Sequence, residues 1–138
     1  MWGKHKVGIC SELIAEEYLV KNENIVARPI SGHQEWDLIA WDQIQWNRFQ
    51  VKTIYWEKSK NRYICSLVTS HIRGNGRKPN KKYTKNSFEF LLAVEPASRT
   101  IYKVPIDKIA GRRSITFYFN KESNAKKNKN NFEDLRVQ

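Results

Sequence analysis

Three polar residues interrupt two otherwise apolar segments. Asp37 lies within Trp36-Asp37-Leu38-Ile39-Ala40-Trp41, and Gln50 and Lys52 lie within Phe49-Gln50-Val51-Lys52-Thr53. Both segments read as short strands, rich in Ile, Val, Phe and Trp. A chain that only had to fold would place Val or Thr there. Burying a carboxylate and an ammonium is costly unless they are paired or hold a metal. The link between the segments is short, about Asp42 to Asn47, which favours an antiparallel hairpin. Side chains at i and i+2 share a strand face, so Gln50 and Lys52 point the same way. Two registers are open. A Gln43-Ile44 loop sets Asp37 opposite Gln50, and a loop from Gln43 to Trp46 sets it opposite Lys52. Either puts all three on one face, and only a bulge of odd count would break this.

The rest of the chain narrows the setting. Its 138 residues suit one domain with a real core, and 40% hydrophobic content argues against general disorder. The net charge of +11 points to a polyanionic partner, nucleic acid before anionic membrane. No apolar run approaches the ~18 residues that span a bilayer. The first residues lack the apolar stretch of a signal peptide. Cys10 and Cys65 are far apart with no CxxC partner and read as reduced core thiols of a cytoplasmic protein. His5, His33 and His71 have no metal-ligand spacing, which argues against zinc.

Along the chain, residues 8–21 read as a helix begun by Gly8 or Ser11, with an apolar stripe of Ile9, Leu13, Ile14, Tyr18 and Val20. Strands are expected at 24–30, 36–41, 47–56, 62–69, 87–95, 100–105 and 114–120. Asp107 to Ala110 and Phe132 to Leu135 read as short helical turns. Residues 71–86 read as a loop punctuated by Gly74, Gly76 and Pro79. The expected architecture is an α/β or α+β domain over 1–120, one helix followed by a mixed β-sheet, with a basic Lys/Asn-rich tail over 121–138.

Four groups of residues could carry chemistry or contacts, and each has a plainer reading. A carboxylate and an amide oxygen, from Asp37 and Gln50, suit a hard divalent ion such as Mg²⁺. Lys52 could activate a water or stabilise developing phosphorane charge. The plainer reading is an exposed Asp–Lys ion pair. Glu12, beside Glu16 on the helix, either reaches the metal from above the sheet or belongs to a solvated face. Arg73, Arg77, Lys78, Lys81, Lys82 and Lys85 form a stretch with no acid, suited to phosphate-backbone contacts or simply to solubility. The five Trp are core residues or an exposed patch for subunit contact.

The pattern Gly8-x-x-x-Glu12-x-x-Ala15-x-x-Tyr18-Leu19, then Trp36-Asp37-Leu38-Ile39-Ala40, then Gln50-Val51-Lys52-Thr53, resembles the PD-(D/E)XK nuclease superfamily. It is most similar to group I intron-encoded homing endonucleases of that type, in which Gln replaces the acid of the (D/E)xK pair. Archaeal Holliday-junction resolvases are similar over the same first half. Tyr102-Lys103-Val104-Pro105 and the strand from Ile115 to Phe119 also resemble the intron type, so the likeness covers about residues 8–120.

The resemblance implies a restriction-endonuclease-like core and an active site of Glu12, Asp37, Gln50 and Lys52 with a divalent metal. It also implies a dimer or tetramer acting on double-stranded DNA. The resulting expectation is a Mg²⁺-dependent, site-specific endonuclease for intron homing, with Mn²⁺ as a substitute. Asp37, Gln50, Glu12 and the backbone carbonyl of Val51 would be ligands, and the basic stretch from Arg73 to Lys85 would meet DNA. No small-molecule cofactor and no membrane are expected. A junction resolvase and a non-cleaving basic DNA-binding protein on a nuclease scaffold remain open, the latter because Gln50 removes a negative charge from the metal site.

Overall fold

The computed structural model of the chain describes residues 3–68, 72–73, 76–77, 81–118 and 133–138. Helix α1 runs Lys4–Lys21. It starts four residues before Gly8 because nothing there breaks it, and one glycine inside a helix costs only about 1 kcal/mol. Its last carbonyls are met by side-chain amides: Asn22 Nδ2 donates to Tyr18 O and Asn24 Nδ2 to Leu19 O. Ser11 does not cap the helix. It is buried, its Oγ 2.7 Å from Thr53 Oγ1.

The buried face of α1 is Ser11, Ile14, Ala15 and Leu19. The expected stripe is therefore rotated: Ile9, Leu13 and Val20 are exposed. Small residues at 11 and 15 let the helix backbone approach the sheet, and that selects the face.

The strands are β1 (Ile25–Ala27), β2 (Leu38–Trp41), β3 (Trp46–Thr53), β4 (Tyr55–Glu57), β5 (Arg62–Ser66), β6 (Ile72–Arg73), β7 (Gly76–Arg77), β8 (Phe90–Glu95), β9 (Thr100–Pro105) and β10 (Ser114–Tyr118). The main sheet has the order β1-β2-β3-β8-β9. It is mixed, since β3 and β8 run parallel while the other neighbours are antiparallel. The parallel pair needs a crossover. That crossover carries β4 and β5, which join β10 in a second, antiparallel sheet. Single-turn helices occupy Ile106–Lys108 and Glu133–Leu135.

Each face of the main sheet buries its own core. Phe49, Val51, Leu92 and Val94 lie under Ile14, Ala15 and Leu19 of α1. On the other face Leu91, Ala93, Tyr102 and Val104 pack on Cys65, Ile115 and Phe117 of the second sheet, with Tyr102 stacked on Phe117 at 4.2 Å. Truncating Phe49 to Ala would cost about 3–5 kcal/mol. The outer edge of β9 is covered, since Val137 N donates to Ile101 O and Ile101 N to Gln138 O. No helix among the described residues is long and apolar enough to cross a membrane.

Candidate active site

The β2–β3 hairpin sets the site. Its turn is closed by Asp42, whose Oδ1 accepts from Ile44 N at 2.9 Å and Gln45 N at 2.8 Å. Gln43 takes a left-handed φ of 76°. This selects the shorter of the two possible loops. The register runs from Trp41 opposite Trp46 to Leu38 opposite Phe49, so Asp37 comes to the level of Gln50.

At that level β2 ends and the hairpin opens. Asp37 spans the opening: its N donates to Phe49 O at 2.8 Å, and its Oδ2 accepts from Val51 N at 2.9 Å. The N–H and C=O of one strand residue point to the same edge. The Val51 carbonyl therefore faces the gap that β2 has vacated, where the Gln50 amide donates to it at 3.3 Å. Asp37 Oδ1 has no hydrogen-bond partner among the described residues. Lys52 lies half-buried on the face of Gln50, its Nζ 5.8 Å from the Tyr83 ring centroid.

Glu12 comes to the same place from α1. It lines a cavity of about 250 Å³ with Asp37, Arg28, Trp36 and residues of the segment 29–34. Burial pushes the Asp37 carboxyl above its ordinary value, against the pull of the Val51 N–H, Lys52 and Arg28. Burial, and then the charge of Asp37, push Glu12 up as well. Two carboxylates that are both short of solvation and repel each other form a place where a cation is favoured. Two half-buried carboxylates that repel each other do little for folding.

A model of the PD-(D/E)XK endonuclease family matches residues 3–138. The chain belongs to that family. A solved structure described as a bacterial homing endonuclease, I-Ssp6803I, is similar with a TM-score of 0.81. The match covers 98% of this chain and 89% of that one at 16% identity, so the likeness is one of fold. No curated protein matches the sequence. The helix followed by a mixed sheet is thus the frame of a PD-(D/E)XK nuclease.

The nuclease frame brings together Glu12 and Asp37 around one cavity, and Asp37, Gln50, Val51 and Lys52 at one strand end. The expected DNA contacts are more dispersed. Arg73 and Arg77 belong to the β6–β7 hairpin, described by its backbone alone, and Lys78 lies outside the described residues. Lys82 and Lys85 are exposed. Lys81 pairs with Glu35 at 3.0 Å, so an acid from outside the basic stretch reaches it. The tail lysines 121, 126, 127 and 129 lie outside the described residues.

Two features escaped the sequence. Arg28 closes on the acids, with Nη1 3.4 Å from Glu12 Oε2 and Nη2 2.5 Å from Glu16 Oε2. The signal available was a charged residue between the apolar Ile25-Val26-Ala27 and Pro29, which reads as the end of a strand. The Trp residues also divide: Trp46 and Trp56 are exposed, while Trp36 packs against the core.

Proposed function

We propose that this PD-(D/E)XK nuclease is a divalent-metal-dependent endonuclease that hydrolyses phosphodiesters of double-stranded DNA at specific sites, in the manner of a homing enzyme. The observation that carries the reading is the pairing of Glu12 with Asp37 around one cavity, with Lys52 and the Val51 carbonyl at the adjoining strand end. The donors available there are the carboxylates of Glu12 and Asp37, the amide oxygen of Gln50 and the carbonyl of Val51. That all-oxygen set fits Mg²⁺, and Mn²⁺ as its substitute. When bound, such an ion polarises a phosphoryl oxygen and lowers the pKa of water.

The chain supplies the remainder. Asp37 lines the cavity and is held at Val51 N by one oxygen, which leaves the other for a ligand. Lys52 orients the attacking water and offsets the negative charge that grows on phosphorus. Water adds to phosphorus, the sugar oxygen leaves and takes up a proton, and the water loses one. Glu12 is suited to hold that departing proton. The net charge of +11 supports a DNA substrate, and the fold likeness to a bacterial homing endonuclease supports the homing reading.

The reading extends to a homo-oligomer, dimer or tetramer. Leu13, Tyr55 and Trp56 are exposed around a groove floored by Ile14 and Ile54. Nearby Glu17 and Glu57 are paired with Lys21, Arg99, Lys60 and Arg62. These ion pairs offset part of the positive charge around the groove, and its exposed apolar residues offer a second copy a surface to cover. Sedimentation should show association that Leu13→Lys weakens. A monomer at all concentrations would remove this part.

The activity is tested by incubating the protein with a genomic DNA library and sequencing the cut ends, with and without EDTA. Metal-dependent ends at one recurrent sequence support the proposal. Preferential cutting of four-way junctions would favour a resolvase, and binding without cutting a decayed nuclease.

A further inference from the structure

Arg28 places a fixed positive charge where a metal would be drawn. Its guanidinium reaches Glu12 and Glu16, which lie one helical turn apart on α1, and it lines the cavity shared with Asp37. The two contacts are unequal, 2.5 Å to Glu16 and 3.4 Å to Glu12. Pro29 fixes the backbone that follows, so the guanidinium is delivered from a defined point. The side chain is 44% exposed, so its ion pairs are weak enough to exchange.

We propose that Arg28 is a built-in counter-ion of the acid cluster, one that a divalent cation must displace from Glu12 before the site loads. This rests on the reading of Glu12 and Asp37 as metal ligands. Without a metal, Arg28 offsets the repulsion between the two carboxylates. With one, Glu12 changes partner while Arg28 keeps its shorter contact, to Glu16. The device costs metal affinity and offsets the charge of the empty acid cluster. A simple structural brace would act in the opposite direction, since losing it would loosen Glu12 and weaken binding.

The test is calorimetric titration of Mn²⁺ alone into the free protein at neutral pH, so no cleavage is involved. Arg28→Met should bind Mn²⁺ about threefold to tenfold more tightly than the native protein, the gain expected from removing an exposed ion pair and a like charge. Arg28→Lys, which keeps the charge, should stay within about twofold of native. The difference between Arg28→Met and native should shrink as salt is raised. Native or weaker affinity in Arg28→Met, with a native melting temperature, would overturn the inference while leaving the metal site standing. If the native protein and Asp37→Asn both take up no Mn²⁺, the metal reading itself falls, and this inference with it.

Discussion

The two ends of the β2–β3 ladder carry the same pair of residues. Asp42 faces Gln45 at the closed end, and Asp37 comes level with Gln50 at the open end. At the turn, Asp42 accepts from Ile44 N, Gln45 N and Asn47 Nδ2, and these bonds hold its carboxyl below the usual range. At the opening, Asp37 accepts from Val51 N alone among the described residues, and burial holds its carboxyl above that range. One aspartate shapes the chain and the other is kept short of partners. Residue identity does not separate them; solvation and the number of donors do.

The largest test of that contrast is cleavage. Lys52→Ala and Asp37→Asn should each lower the rate by about 10²–10⁴-fold, the usual size of a positioned acid, base or charge. DNA affinity should stay within a few-fold, since one phosphate among many is affected. Asp42→Asn should leave the rate nearly native. Equal losses at both ends would erase the distinction.

Affinity comes next. Neutralising Lys82 and Lys85 should lower the salt slope of DNA binding by roughly 0.9 for each lost phosphate contact. Lys81→Ala should lower it less, because Glu35 already competes for that ammonium. A larger effect at Lys81 would mean that DNA displaces Glu35 on binding. Unchanged slopes throughout would move the contact to the tail.

The hairpin and its polar triplet were legible because they are local: period-two alternation, a short link and β-branched residues determine both. The strand over 100–105 was legible for the same reason. Side-chain contacts between distant segments were not. Ser11 reads as a helix start and is instead bonded to Thr53 on β3. Glu35 meets Lys81 through the crossover between β3 and β8, and Arg28 meets Glu16 through the packing of β1 beside α1. The helix stripe differs from the spacing because α1 is apolar on more than one side, and the choice of face belongs to the sheet. The pairing of Val137 with Ile101 had no signal, since a Lys/Asn-rich approach looks like a solvated tail.

Stability against pH should also divide the two aspartates, by a smaller margin. Asp42 has a lowered folded pKa, so its contribution is present above the unfolded value of about 3.9 and is lost as pH falls through the folded one. Asp37 has a raised folded pKa. Its protonated form is favoured by folding, so stability falls as pH rises from about 3.9 through the folded value. Thermal melts between acid and neutral pH should show Asp42→Asn losing stability mainly at neutral pH. Asp37→Asn keeps an acceptor for Val51 N and should melt at or above the native temperature at neutral pH. A clear drop there would make Asp37 a structural residue like Asp42.

The smallest expected effect is the most specific. Gln50→Glu would place a further carboxylate level with Asp37, while Gln45→Glu would place one beside Asp42. At the open end the new charge joins groups already short of solvation, so the metal-free protein should melt a few degrees lower. Ligand charge tunes divalent affinity, so Mg²⁺ should bind about threefold to tenfold more tightly and restore the melting temperature. The cleavage rate should not rise with it, because Lys52 and the attacking water are unchanged and tighter ground-state binding alone does not lower the barrier. At the closed end Asp42 already has its donors, and Gln45→Glu should leave Mg²⁺ affinity native. If both substitutions shift Mg²⁺ binding equally, the effect is only the general field of the protein, and the opening at Asp37 has no special claim on a cation. If Gln50→Glu alone does so, the gap at the end of β2 is the place where the charge is felt.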